Sequence, residues 1–315
     1  MDSIKKEQQF TSTHNKLLNH ADRLSHIQKD NVWYPISLQV APTELCNMNC
    51  EFCSVKNRGN RSMKFGTLIN YIDTFRILGI KSIEITGGGD PTMYEDINDL
   101  IYMCDSLFHL KIGLITNGIA LDNITQDNLN RLEWLRISLN GLDYDMKPQV
   151  PKIMGTLGFS YVWNKKSFPH TLHQICKLAN KHNVEYVRIV PDCLNIKNQT
   201  ELKKEVEDII NTNTGMEKFF VQTKDYNVCS PCYMGGLKPF LYTDEYVYQC
   251  SAVALYERKF SEKWRICHAK DAGKVWPRNY KFPDNSMCEK GKCFYSEHNK
   301  LLGEIQKKVL HSDFI

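Results

Sequence analysis

No apolar run in the sequence approaches the roughly 18 residues that span a bilayer, which excludes a helical membrane protein. The polar stretch Met1–Phe10 excludes a secretory signal peptide, so the expected location is cytoplasmic. Neither sign of charge is in excess: 40 basic against 36 acidic residues leave +4, which gives no strong signal for nucleic acid. Internal repeats and low-complexity segments are also missing, and a composition of 42% hydrophobic and 24% charged residues excludes a disordered, collagenous or coiled-coil chain. What is abundant is cysteine, with 12 in 315 residues and half of them from Cys229 onward. Without a secretion signal these are poorly explained as disulfides, because a reducing cytosol keeps thiols free. Metal ligation is the better explanation.

The chain divides by pattern into three parts. Residues 1–35 are a polar N-terminal flank with weak helical spacing. Across residues 36–215 short apolar runs recur: Ile36–Val40, Ser82–Thr86, Lys111–Thr116, Trp134–Ser138, Phe159–Trp163 and Glu185–Val190. Between most of them lies helical spacing. Leu68, Ile72, Phe75 and Leu78 form one helical stripe, with Thr67 placed as a cap and Gly79 as the stop. Thr92-x-x-Glu95 reads as a capping box for a helix to about Leu107, and Pro169–Lys181 and Thr200–Ile210 supply two more. About six alternations of strand and helix predict an α/β fold with a parallel sheet and right-handed crossovers. Residues 216–315 lose this rhythm and hold six cysteines. Their sparse regular apolar surface would be offset by bound metal, whose binding free energy is also folding free energy.

Cys46-Asn-Met-Asn-Cys50-Glu-Phe-Cys53 follows the first apolar run directly. Three thiolates at this spacing can each hold a different iron of one four-iron cube. The cube then keeps one iron without a protein ligand, and an open position is where chemistry happens; a structural site is normally closed by a fourth ligand. A zinc site, a structural cluster or three buried thiols would use the same residues.

The arrangement resembles the radical S-adenosylmethionine superfamily, whose signature is Cys-x3-Cys-x2-Cys with an aromatic before the last cysteine, here Phe52. The resemblance implies a partial (β/α)6 TIM-like barrel over residues 36–215. It also implies S-adenosylmethionine bound at the open iron of a 4Fe-4S cluster and cleaved reductively to a 5′-deoxyadenosyl radical, which takes hydrogen from a substrate. Cys46, Cys50 and Cys53 would be the cluster ligands, and a flavodoxin or ferredoxin would supply the electron.

Further elements at successive strand ends resemble that family. Thr86-Gly87-Gly88-Gly89-Asp90-Pro91 stands where it commonly carries Gly-Gly-Glu, with Asp90 in place of the glutamate. Glycines there would let the backbone approach a ligand closely; a plain strand-to-helix turn has the same composition. Asn117 before Gly118, and Ser138 and Asn140 in Arg136-Ile-Ser138-Leu-Asn140-Gly141, resemble further cofactor-binding elements. Arg188 in the sixth run is a candidate for a carboxylate contact, or else for a surface ion pair. In parallel α/β barrels ligand-binding loops gather at such strand ends.

The C-terminal segment from Cys232 to Cys250 resembles the start of the SPASM or shorter twitch extension of these enzymes, with Glu245 replacing the usual hairpin glycine. That resemblance implies an auxiliary 4Fe-4S cluster on Cys232, Cys250, Cys288 and Cys293, with Cys229 as substitute. Zinc competes, because Cys-x2-Cys with a second close pair is also zinc-like. Cys104 and Cys176 fall in helical patterns and read as core. For the reaction itself Asp192 and Cys193 lie just beyond the sixth run, and Trp163, Asn164, Tyr233 and Tyr242 are further candidates; packing or loop structure accounts for each equally simply. The flank over residues 1–35 is too short for a typical peptide-leader domain, which tilts the expected substrate toward a small molecule or nucleotide-like compound. A peptide-modifying maturase is the alternative, and a non-catalytic iron–sulfur or zinc protein is the third.

Overall fold

Each apolar run pairs with the next, and the result is one sheet. The computed structural model describes residues 3–194, 199–222, 231–282, 288 and 293–307. The strands are β1 (Ser37–Val40), β2 (Ser82–Ile85), β3 (Lys111–Thr116), β4 (Trp134–Ser138), β5 (Thr156–Trp163), β6 (Tyr186–Pro191), β7 (Phe219–Val221), β8 (Phe240–Leu241), β9 (Tyr246–Tyr248) and β10 (Arg265–His268). They lie in the order β10-β9-β8-β1-β2-β3-β4-β5-β6-β7. β1 to β7 are parallel neighbours, which leaves the sheet open at β7 as a partial barrel.

Two features depart from the six-strand expectation. β7 adds a seventh parallel strand beyond residue 215, and β8 pairs in parallel with β1, Gln39 opposite Phe240. The antiparallel turns β8–β9 and β9–β10 then carry the same sheet into the cysteine-rich region. The sheet therefore crosses the pattern boundary at 215/216, because the exposed edge of β1 needs hydrogen-bond partners and the later chain supplies them.

Helix Phe65–Ile77 turns Leu68, Ile72 and Phe75 onto the sheet, and helix Pro169–Lys181 does the same with Leu172, Ile175 and Ala179. Fully burying one such large side chain contributes roughly 2 kcal/mol. The first helix starts before Thr67, at Phe65, and stops at Gly79, whose φ of +98° suits glycine. The expected Thr92 capping box does not form. Asp90 accepts from the Thr92 amide and hydroxyl and holds residues 91–93 in a 3₁₀ turn, so the helix begins at Ile97.

The flank packs on the extension. Leu17, Ile27, Trp33 and Ile36 share a small core with Cys232, Met234, Leu237, Tyr295 and Leu302. Trp33 stacks on Tyr233 at 5.7 Å and meets Phe282 edge-on at 4.8 Å. The cysteine-rich region thus borrows the apolar surface that it lacks from residues 17–36. No helix among the described residues is long and apolar enough to cross a membrane.

Candidate active site

The cluster loop leaves β1 through Thr43 and Glu44 and carries Cys46, Cys50 and Cys53, all partly buried. Burial pushes the Cys46 and Cys50 thiols up, Cys50 to about 11, where Cys53 and Cys46 add their repulsion. Ionising Cys46 and Cys50 is thus disfavoured by burial and by their neighbours' charge, a cost that a bound cation would relieve. The charged groups that bear most on Cys46 are Asp90, Arg58 and Cys53, and on Cys50 they are Cys53, Cys46, Asp143 and Arg58. Donors flank the trio. Arg58 places Nη1 3.7 Å from Cys53 Sγ and Nη2 3.1 Å from the Met48 carbonyl, and Asn117 places Nδ2 3.9 Å from Cys46 Sγ. This donor set fits an iron–sulfur cube held by three thiolates, whose sulfurs accept hydrogen bonds from the protein. Phe52 is half-buried in the turn between Cys50 and Cys53.

The loop is anchored on both sides. Glu44, 1% exposed, accepts from Arg61 at 2.7 Å and from Tyr242 of the extension at 2.8 Å. Burial works to raise its carboxyl, but Arg61 and Tyr242 hold it below the usual carboxylate range. Arg258, also from the extension, donates from Nη2 to the Cys53 carbonyl at 3.0 Å and to the Glu51 carbonyl, and the Asn57 amide returns a bond to the Arg258 carbonyl at 2.9 Å.

The loop after β2 lies against the cluster loop. Gly89 N donates to Thr43 O and Asp90 N to Leu45 O, each at 2.8 Å. A Cβ on Gly89 would sit 1.9 Å from the Leu45 carbonyl oxygen, and one on Gly88 would sit 2.6 Å from the Tyr242 ring. A Cβ on Gly87 would meet the Gly89 carbonyl oxygen at 1.8 Å. These glycines allow chain to pack on chain, a requirement present before any ligand is considered. Asp90, 3% exposed, has both carboxylate oxygens engaged by Thr92, the Thr116 hydroxyl and the Asn117 amide. It ties the ends of β2 and β3 together. Asp90→Ala would strand these buried donors and is expected to cost about 2–4 kcal/mol. Urea unfolding of the apoprotein checks this; a loss below about 0.5 kcal/mol would contradict it.

After β4, Asn140 is 2% exposed and its amide group is fully used: Nδ2 donates to Asp143 and to the Val162 carbonyl, and Oδ1 accepts from the Val162 amide. These bonds clamp the β4 loop to β5. Ser138 Oγ lies 3.5 Å from Asn140 Oδ1. Asp143 also accepts from Tyr161 and Asn164 and lies near enough to raise the Cys50 thiol. Arg188 is the third residue of β6 and lines the barrel interior. Asp192 accepts from the Leu194 amide, and Cys193 Sγ lies 3.7 Å from the Pro191 carbonyl oxygen. Trp163 is buried, Tyr242 is held by Glu44 and Tyr233 sits in the small core.

At the second cysteine group, Cys232, Cys250, Cys288 and Cys293 converge. Burial raises Cys232 to about 12 and also raises Cys250, and each is raised further by Cys288 and Cys293. Asn299 is the organiser there: its Oδ1 accepts from the Tyr233 and Met234 amides, and its Nδ2 lies 3.9 Å from Cys232 Sγ. The buried hydroxyl of Tyr280 lacks a hydrogen-bond partner beside Cys232 and Cys250, a donor available to a group held between the thiols. No three His, Cys, Asp or Glu side chains among the described residues form a site for a metal ion as they stand. Cys267 lies on β10 and, like Cys232 and Cys250, bears on Tyr280; Cys229 falls outside the described residues. Glu245, standing for the usual glycine, adopts φ +66° and is held by Tyr71, which donates to its carboxylate.

Sequence reasoning missed Glu44, Arg58, Arg258 and the Glu84–Lys238 pair. Arg58 follows the last cysteine of the triplet by five residues, which is a readable signal. Arg258 is about 200 residues away from its partners and gives none.

An open parallel barrel with three thiols of a Cys-x3-Cys-x2-Cys loop beside its strand-end loops defines a class of proteins built to hold a site-differentiated iron–sulfur cluster. Residues 40–190 match the family model of the Radical SAM superfamily, which makes this barrel a radical SAM domain. GTP 3′,8-cyclase of Clostridium botulinum (strain Okra / Type B1) is 30% identical over 115 residues, 34% of this chain and 36% of the cyclase. GTP 3′,8-cyclase of Staphylococcus aureus (strain Mu3 / ATCC 700698) is 30% identical over 127 residues, 36% of this chain and 37% of the cyclase. The match thus spans little more than a third of these relatives. Streptococcus suis SuiB bound to S-adenosylmethionine superposes with a TM-score of 0.61 at 16% identity, covering 95% of this chain and 83% of SuiB. SuiB bound to the precursor peptide SuiA gives 0.58 at 15% identity, covering 93% and 79%. These superpositions establish a shared fold.

Proposed function

We propose that the chain is an enzyme that binds a 4Fe-4S cluster through Cys46, Cys50 and Cys53 and cleaves S-adenosylmethionine reductively to act on a small-molecule or nucleotide-like substrate. The observation that carries this reading is that Cys46, Cys50 and Cys53, on one loop beside the strand-end loops, lie near enough for Cys53 to bear on both other thiols and Cys46 on Cys50. When bound, the cluster and S-adenosylmethionine supply a 5′-deoxyadenosyl radical able to remove a hydrogen atom from substrate. The chain contributes position. Arg58 and Asn117 donate toward the cluster sulfurs, while Asp90, Asn140 and Asp143 fix the loops that frame the cofactor site.

The second group, Cys232, Cys250, Cys288 and Cys293, is read as the ligand set of an auxiliary cluster in a twitch-like extension. Cys232, Cys288 and Cys293 all bear on Cys250, which supports a shared site for the four; zinc is the alternative occupant. A flavodoxin or ferredoxin in the cytoplasm would serve as electron donor.

The half-open space inside the barrel, about 600 Å³, is of metabolite size and supports a small substrate. The partial likeness to GTP 3′,8-cyclase points the same way, toward a nucleotide. A peptide substrate is the second reading, favoured by the fold shared with SuiB, which was crystallised with a precursor peptide. Anaerobic reconstitution with iron and sulfide, dithionite reduction and assay for 5′-deoxyadenosine is the test, run with nucleotides and with short peptides. The expected result is product in the presence of S-adenosylmethionine, increased by nucleotides and not by peptides. No product under any condition contradicts the enzymatic reading, and stimulation by peptides alone overturns the substrate assignment.

A further inference from the structure

The wall of the interior cavity is charged. Lys16, Arg136, Arg188 and Lys238 line it against two carboxylates, Glu84 and Glu133. Glu84 is already used: it accepts from Lys238 Nζ at 3.0 Å and from Gln39. Glu133 is used as well, by Lys111 at 2.9 Å. Arg136 is 8% exposed, and its bonds go to neutral partners: Nε to the Tyr186 hydroxyl at 2.9 Å and Nη2 to the Phe10 carbonyl at 3.0 Å. Arg188 Nε is buried and has no hydrogen-bond partner. Burial, then the charge of Arg136, push the Arg188 guanidinium down to about 9.

Two arginines thus share one half-open space, and among the described residues neither forms a direct ion pair, although Glu84 bears on both and Glu7 on Arg188. Burying a cation is costly unless an anion is paired with it, and a missing partner marks where a ligand can supply the charge. Guanidinium is suited to this, because its planar fork meets a carboxylate or phosphate with two parallel bonds.

We propose that the barrel cavity binds the anionic group of a small ligand, a phosphate or a carboxylate, through Arg188, with Arg136 reinforcing the charge. That this ligand is the substrate rests on the radical-enzyme reading above; that the cavity binds an anion does not. Cys193, just beyond the C-terminal end of β6, lies near enough to bear on Arg188.

The test is calorimetric titration of the reconstituted full chain with sodium triphosphate and, separately, with citrate. One or both should bind, and Arg188→Gln should weaken that binding at least about tenfold. Triphosphate alone binding assigns a phosphate, and citrate alone a carboxylate. If neither binds, or if Arg188→Gln binds as tightly as the wild type, the inference is overturned. A second measurement needs no variant: phenylglyoxal labelling of arginines, mapped by mass spectrometry, should spare Arg188 when the bound anion is present. Equal labelling with and without it also overturns the inference. Formation of 5′-deoxyadenosine is followed in the same wild-type preparation. Cleavage without anion binding sinks this inference alone, whereas anion binding without cleavage sinks the enzymatic reading alone.

Discussion

Cys50→Ala is expected to reduce 5′-deoxyadenosine formation to background, a loss of at least about 1000-fold. The argument is coordination number. A cube held by three thiolates has no spare protein ligand, so removing one leaves two irons open and the cluster labile. Cys46→Ala and Cys53→Ala should match it, because the three side chains act as one unit and their losses do not add. Cys104→Ala is the control. That thiol is fully buried among core residues, so it should lower stability through the cavity left behind while cleavage persists. Product formation by Cys50→Ala within about tenfold of wild type would remove the triplet from the chemistry.

Cys232→Ala should separate the two metal centres. In the proposed reading the reconstituted chain holds roughly eight irons, and this variant should fall to roughly four. Its thiol is the most buried of the four and lies in the small core shared by flank and extension. Loss of the cluster should therefore loosen that core and lower the thermal midpoint by several degrees, since metal binding there contributes to folding. The first centre should keep its electron paramagnetic resonance signal and its response to S-adenosylmethionine. Iron counting with spectroscopy checks both halves. Unchanged iron in Cys232→Ala contradicts an auxiliary cluster at this place, and a zinc content of one atom per wild-type chain replaces it with the zinc alternative.

The parallel sheet was legible because each of its first six strands is an apolar run bounded by turn residues, and the cysteine triplet because its ligands are close in sequence. β7 was missed: Phe219–Val221 is too short for alternation to register. The pairing of β8 with β1 was hidden for a different reason, since two residues carry no periodicity and their partner lies about 200 positions away. At the site, Asp90 and Asn140 stood out as polar residues at strand ends. Their bonds to Asn117 and Val162 could be read only from the folded chain, and they give these side chains structural work. Arg188 was noticed as a cation after apolar neighbours. That it meets Arg136 inside the barrel follows from strand register and the inward pleat.

The bond between β1 and β8 has a bearing on how the polypeptide is subdivided. A fragment cut after Val221 would bare the β1 margin that Phe240 and Leu241 cover at Gln39 and Val40, with Ala41 beside them. Such a margin recruits the same stretch from another molecule, so the shortened piece would stick to itself and precipitate. The cysteine-rich tail is thus also a guard against self-association, whatever metal it carries.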